Sequence, residues 1–161
     1  MEFIWSPWRY DYLASGGQRP PSCVFCVGEE RSPEKDAERL IVFRGTHNFV
    51  ILNLFPYTSG HVMVAPYEHR DTITGASPEQ TSEMMELSKR VMAGIQKLYR
   101  PEGFNLGMNL GSAAGAGIRE HFHLHVVPRW FGDANFMSIT GETRVLPEEL
   151  SITYRRLSEV L

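Results

Sequence analysis

One short segment constrains this chain more than any other: His121-Phe122-His123-Leu124-His125-Val126-Val127. Imidazoles and apolar side chains alternate through it, with the period of two that belongs to an extended strand. Three of the six histidines fall here in strict alternation, so chance placement is a poor account of them. On a strand, His121, His123 and His125 share one face. Phe122, Leu124 and Val126 share the other and can anchor the strand in a core. Aligned imidazoles are costly to leave without partners, which suggests two uses. One is a metal site; the other is a phosphate site with a histidine nucleophile. A single metal held by all three is geometrically awkward. The outer two lie roughly 13 Å apart on an extended strand, whereas zinc takes nitrogen at roughly 2.0–2.1 Å. One of the three joining a separate metal site stays open.

The loop ahead of this segment favours phosphate. Gly111, Gly115 and Gly117 stand among Ser112 and alanines (GSAAGAG), and small residues let backbone N–H groups approach an anion. An ordinary flexible turn is the bland alternative, and the aligned histidines next to it weigh against that. No Walker A pattern and no dinucleotide-type glycine pattern is present.

The remaining pattern predicts a frame for these residues. Residues 40–44 (LIVFR) and 49–54 (FVILNL) read as strands joined by a turn at GTHN, and 61–65 (HVMVA) as a third. Ser77-Pro78-Glu79-Gln80 is a helix start, with Ser77 as cap, Pro78 in the first turn and Gln80 closing a capping box. Met84, Leu87, Val91, Ile95 and Leu98 form one apolar stripe, so the helix should run to about Tyr99 and stop before Pro101. Residues 104–110 and 122–127 read as strands and 147–161 as a helix. The charged stretch 29–38 reads as a solvated loop or turn, and 16–22 (GGQRPPS) is the most linker-like. The order predicts an α+β fold: an antiparallel sheet with a long helix and a C-terminal helix packed on it. At 161 residues the chain fits a single domain, 1–161, with an N-terminal aromatic arm.

Charge narrows the partners. Sixteen Lys and Arg face nineteen Asp and Glu, a formal net charge of -3, which argues against coating nucleic acid by charge. No apolar run reaches the roughly 18–20 residues of a membrane span. The first residues do not read as a signal peptide, and two cysteines make no disulfide scaffold, so the expected location is the cytoplasm. Those cysteines, in Cys23-Val24-Phe25-Cys26, form half of a zinc knuckle, with histidines such as His69 available to complete it, or else two reduced thiols. A redox role lacks the thioredoxin-like context.

His121 to Val127 resembles the signature of the histidine triad (HIT) superfamily: His-x-His-x-His followed by two apolar residues. The stretch 53–66 (NLFPYTSGHVMVAP) is similar to a second, independent signature of that family, and the likeness spans about 23–135. Gly115-Ala116-Gly117-Ile118, Pro128-Arg129-Trp130 and Gly132-Asp133-Ala134-Asn135-Phe136 look like the bacterial diadenosine tetraphosphate phosphorylase branch. The resemblance implies a nucleotidyl hydrolase or transferase acting on an α-phosphate. His123 would be the nucleophile and form a nucleotidyl-histidine intermediate. A neutral imidazole is suited to that near pH 7. His125 is expected to orient His123 by bonding its other ring nitrogen, with His121 and His61 supporting the network. The Gly117–Ile118 backbone would supply donors to the phosphoryl oxygens. Asn53 matches the ribose-binding position; its alternative is a strand-end residue satisfying a turn. Asn109 matches a second polar position, with spacing one residue longer than in eukaryotic branches. Ile118 replaces a Ser or Thr of some members, leaving only backbone to meet the phosphate. Trp5, Trp8 and Trp130 are expected in the core or at a dimer contact rather than around the base.

The same resemblance implies a structural zinc on Cys23, Cys26, His69 and His121, as in bacterial members and galactose-1-phosphate uridylyltransferase. It further implies no organic cofactor, a nucleotide partner and a homodimer. Nucleoside phosphoramidate hydrolysis, and a non-catalytic AMP- or alarmone-binding module, are the alternatives.

Overall fold

Runs rich in β-branched and aromatic residues set four of the five strands, while the Gly103–Gly107 strand (GFNLG) carries only Phe104 of those types. In the computed structural model, which describes residues 23–26, 32–133 and 148–161, these are β1 (Ile41–Arg44), β2 (Asn48–Leu52), β3 (Val62–Pro66), β4 (Gly103–Gly107) and β5 (Leu124–Arg129). They form one sheet in the order β1-β2-β3-β5-β4, with every neighbouring pair antiparallel. The α+β expectation holds. The histidine-bearing β5 lies between β3 and β4 because Val62 pairs with Val126 and Leu106 pairs with Val126 from the other side.

The long helix α2 (Pro78–Tyr99; the single turn Asp36–Arg39 is α1) matches its predicted span. The Ser77 hydroxyl accepts the Gln80 N–H at 3.2 Å. The reciprocal half of the capping box is not made: Gln80 is buried, and its side-chain oxygen has no partner among the described residues. The helix ends where Arg100 turns left-handed (φ 48°), just before Pro101 blocks continuation. The charged stretch differs from the expected loop. Residues Pro33–Lys35 form a 3-10 turn that leads into α1, and Asp36 at its start pairs with Arg44 of β1. A proline in the first turn and that ion pair favour helical geometry over open loop. The C-terminal helix α3 spans Leu150–Ser158.

Alternation sorts the sheet into two faces. Val50, Leu52, Val62, Val64, Leu124 and Val126 meet Met84, Leu87, Val91 and Ile95 of α2 and Leu157 of α3 in one apolar cluster. Burial of each such side chain contributes about 1.5–3 kcal/mol. The opposite face carries a smaller cluster: Phe25, Ile41, Phe49, Ile51, Met63 and Ala65. The histidines stand on this second side. The sheet's β1–β2 turn is pinned to α2 by Glu83, whose carboxylate accepts the N–H groups of Thr46, His47 and Asn48 at 2.6–2.8 Å. The predicted linker 16–22, Trp5 and Trp8 lie outside the described residues.

Candidate functional site

Strand β5 delivers the imidazoles, but it begins only at Leu124, so His121 and His123 precede the ladder rather than belong to it. The alternation survives this: Phe122, Leu124 and Val126 enter the helix-facing core, and the rings take the other side. His121 and His123 are buried, at 0% and 6% exposure, and His125 is half-buried.

Hydrogen-bond partners assign each ring a tautomer. The Tyr57 backbone N–H donates to His61 Nδ1 at 3.1 Å, so that nitrogen holds a lone pair. In the neutral ring the proton is then on Nε2, which lies 3.0 Å from His125 Nδ1 and donates to it. His125 therefore keeps its own proton on Nε2. His123 Nδ1 lies 2.9 Å from the carbonyl of His121 and must carry a proton to donate there. Its Nε2 is left as the basic, nucleophilic nitrogen. The expected orienter of His123 was the His125 ring. The structure gives that task to the His121 carbonyl instead, because the His125 Nδ1 is turned to His61, and the His123 and His125 rings meet edge to face at 4.8 Å.

Burial favours the neutral form of His123 and His125. It lowers the pKa of His125 to about 4, with His123 adding repulsion. His123 is lowered by the same desolvation, opposed by its bond to the His121 carbonyl. A neutral imidazole with a free lone pair is a nucleophile at pH 7.

The predicted residues do not all converge. Asn53 joins the row: its Oδ1 accepts the Phe55 N–H at 2.9 Å and its amide nitrogen lies 3.3 Å from His61 Nδ1. It thus already makes the turn contact of the alternative reading. Asn109 is half-buried and makes no hydrogen bond to the histidines among the described residues. The glycine loop bends at Gly111 and Gly115, both at φ 80°, around a 3-10 turn at Ser112–Ala114. Gly117 is exposed, and a Cβ there would meet nothing. The half-buried Ile118 side chain packs on the Phe25 cluster. Trp130 is half-buried. Two aromatics went unread in the sequence. Tyr57 lies 4.8 Å from His61, and Phe25 lies 4.6 Å from His123. Phe25's place inside the Cys-x-x-Cys turn was the only available signal.

A second constellation gathers at the far end of the row. One donor atom each from Cys23, Cys26, His69 and His121 lies within 4.8 Å of the others. Cys26 Sγ is 3.0 Å from His69 Nδ1, and His121 Nδ1 is 3.6 Å from Cys23 Sγ and 3.9 Å from Cys26 Sγ. Ligands around tetrahedral zinc stand roughly 3.3–3.8 Å apart, given Zn–N near 2.0 and Zn–S near 2.3 Å. His121 Nε2 donates to the Pro66 carbonyl at 2.8 Å, which leaves Nδ1 a lone pair aimed at the sulfurs. Two thiols and two imidazoles are a donor set that suits zinc, and their separations, from 3.0 Å up to 4.8 Å, bracket that spacing. Burial foremost, with the Pro66 bond opposing and His69 and His123 adding repulsion, lowers the His121 pKa to about 4, again the neutral form a metal requires.

An antiparallel sheet presenting alternate imidazoles on one face defines a histidine triad protein. The chain belongs to the HIT domain family, whose model matches residues 34–132. It is 38% identical over 162 residues to an AP-4-A phosphorylase of Mycobacterium tuberculosis, covering 98% of this chain and 83% of that one. Its structure is similar to a Zn-bound histidine triad family protein from Mycobacterium smegmatis (TM-score 0.65, 27% identity, 86% of this chain and 92% of that one). A HIT family protein from Bacillus anthracis gives a TM-score of 0.57 at 29% identity, over 70% of this chain and 76% of its own. No helix among the described residues is long and apolar enough to cross a membrane.

Proposed function

We propose that this protein cleaves dinucleoside polyphosphates, diadenosine tetraphosphate foremost, at an α-phosphorus through a covalent bond to His123. The observation that carries the reading is the 2.9 Å contact of His123 Nδ1 with the His121 carbonyl, which leaves Nε2 unprotonated in a buried neutral ring. The AP-4-A phosphorylase likeness over nearly the whole chain supports the substrate class.

The Nε2 lone pair attacks the α-phosphorus, a P–N bond forms, and the bridging P–O bond breaks to release ATP. The positive charge that develops on His123 is met by the His121 carbonyl at Nδ1. His125, holding its proton on Nε2 through the His61 relay, donates to a phosphoryl oxygen, as does the Gly117–Ile118 backbone. An oxygen of inorganic phosphate then attacks phosphorus, the P–N bond breaks, and ADP leaves with His123 restored. Asn53 trades its local turn bond for the ribose hydroxyls, and Asn109 adds a second polar contact. The glycine loop's exposed backbone, not the Ile118 side chain, meets the phosphate chain.

Zinc on Cys23, Cys26, His69 and His121 belongs to this reading. Bound there it supplies a closed, structural cross-link rather than a reaction centre, since four protein ligands leave no open position. A homodimer and a cytoplasmic location complete the proposal.

Product analysis with diadenosine tetraphosphate, with and without phosphate, is the test. ATP plus ADP only when phosphate is present is the expected result. AMP plus ATP in both conditions makes water the acceptor. Two ADP would exclude attack at the α-phosphorus. AMP released from an adenylyl amidate alone supports phosphoramidate hydrolysis, and tight AMP binding without turnover supports a sensor. Elemental analysis of protein purified without added zinc decides the metal; a small fraction of an equivalent rejects it.

A further inference from the structure

The ladder that holds β5 stops short of the nucleophile. Pairing with β3 ends at Val64↔Leu124 and pairing with β4 at Gly107↔His125. His121, Phe122 and His123 therefore lie outside the paired part of both ladders, although β3 itself runs on to Pro66 beside them. Their backbone is fixed from elsewhere. The Phe122 N–H donates to the Arg70 carbonyl at 2.7 Å, one residue past His69, and the His121 ring donates to Pro66. Besides the edge of His125, two groups among the described residues meet the His123 ring. One is the His121 carbonyl. The other is the Phe25 ring, with centroids 4.6 Å apart and planes at 39°. Phe25 is 1% exposed, lies 5.4 Å from the His121 ring as well, and sits inside the turn closed by the Cys26 N–H on the Cys23 carbonyl at 3.0 Å.

We propose that Phe25 is a positioning residue for the nucleophile, through which order in the Cys–His cluster reaches His123. Gathering Cys23 and Cys26 fixes the turn, and the turn presses the Phe25 ring against the imidazole. Rotation of that imidazole away from the His121 carbonyl would then run into a wall. Only the orientation with Nδ1 on the carbonyl and Nε2 outward remains. The strand ladders end before His123, so the Phe25 ring adds to the His121 carbonyl bond a restraint that they do not supply. The sulfur cluster thus has two products, a tied-down chain and an aimed nitrogen, and the second passes through one aromatic ring. The inference rests on His123 being the reacting residue.

Phe25→Ala and Phe25→Leu test it in the full chain. Four measurements are made on each: zinc content, AMP affinity, single-turnover adenylylation of His123 from diadenosine tetraphosphate, and the imidazole NMR signals. The expected Phe25→Ala protein keeps its zinc and its AMP affinity. Its adenylyl transfer slows by roughly tenfold or more, as sub-ångström misplacement of a reacting group does. The loss appears in the maximal single-turnover rate, with the half-saturating substrate concentration held. The His123 Nδ1–H signal broadens or shifts while those of His61 and His125 stay. Phe25→Leu, which refills the volume, recovers most of the rate. Wild-type transfer with an unmoved His123 signal in Phe25→Ala overturns the proposal. So does loss of zinc from both variants in proportion to activity, which would reduce Phe25 to part of the metal fold. If even the wild-type protein transfers no adenylyl group, the proposed reaction fails, and the His123 signal alone still decides whether Phe25 aims the ring.

Discussion

The two faces of this sheet are both buried, yet they are held by different physics. The helix-facing side is closed by apolar contact: Val62, Val64 and Val126 against Met84, Val91 and Ile95, all at 0–1% exposure. Such contacts are non-directional, and any residue of suitable size and face serves. The histidine side adds to its smaller apolar cluster a set of directional bonds between remote segments. His61 meets His125 across 64 positions, Cys23 approaches His121 across 98, and His121 reaches Pro66 across 55. Each of these needs one nitrogen protonated and the other bare. The first face stores stability and the second stores chemistry, and substitutions should separate them.

The largest effect is expected on the histidine side. If His123 is the nucleophile as proposed, His123→Asn should lower turnover by at least about a thousandfold, because an amide cannot form the covalent intermediate. Nucleotide binding and thermal unfolding should stay near wild type. Retained turnover in that variant removes His123 from the reaction and, with it, the division between the faces. On the helix side the pattern should invert. Ile95→Ala should lower unfolding free energy by about 2–5 kcal/mol, read by urea denaturation, while kcat of the folded fraction holds. A fall in kcat without a fall in stability would show that the core shapes the site directly.

How far each face was legible follows from the same contrast. The stripe Met84-Leu87-Val91-Ile95 repeats at helical spacing, so local sequence sufficed to place α2 from Pro78 to Tyr99. Alternation in 121–127 likewise gave the facing of every side chain. It could not give partners, because three identical imidazoles at equal spacing meet three different things: sulfurs, a carbonyl, and another histidine. That choice is made by β3 and the Cys turn, distant in sequence. For the same reason the pattern points to His125 as the orienter of His123, where the structure has the His121 carbonyl. A backbone carbonyl leaves no mark in a residue code. Phe25 was hidden because a Cys-x-x-Cys pattern draws the eye to its ends.

Titration sharpens the comparison. His125 is pushed down to about 4 in the fold by burial, against about 6.5 when unfolded. Below pH 6.5 the unfolded chain takes up a proton that the folded chain refuses. Stability from this group is therefore whole above about pH 6.5 and is lost as pH falls toward 4. The slope approaches about 1.4 kcal/mol per pH unit. Wild type should thus lose up to about 2 kcal/mol more than His125→Asn between pH 7.5 and pH 5 in urea melts. Ile95 lies in the apolar cluster and carries no titratable group, so Ile95→Ala should show the wild-type pH slope. An equal pH slope in wild type and His125→Asn would mean that the buried row is not what acid attacks.

The smallest effect concerns the start of α2, where the two faces share a support. Ser77 accepts the Gln80 N–H, satisfying one of the helix's unpaired donors, while the Gln80 side chain turns inward instead of completing the box. A half-made box should contribute only what a single cap does. Ser77→Ala is expected to cost about 1 kcal/mol, within the usual range for losing a side-chain cap. Gln80→Leu should cost less or even stabilise, because it removes a buried oxygen that has no partner and keeps a similar volume. If Gln80→Leu were instead the costlier change, Gln80 would have a partner that the described residues do not include. The inner end of α2 would then be tied to the sheet by polar bonds as well as by its apolar stripe, as Asn48, whose amide donates to the Gln80 carbonyl at 2.9 Å, already suggests for the β2 edge of that contact.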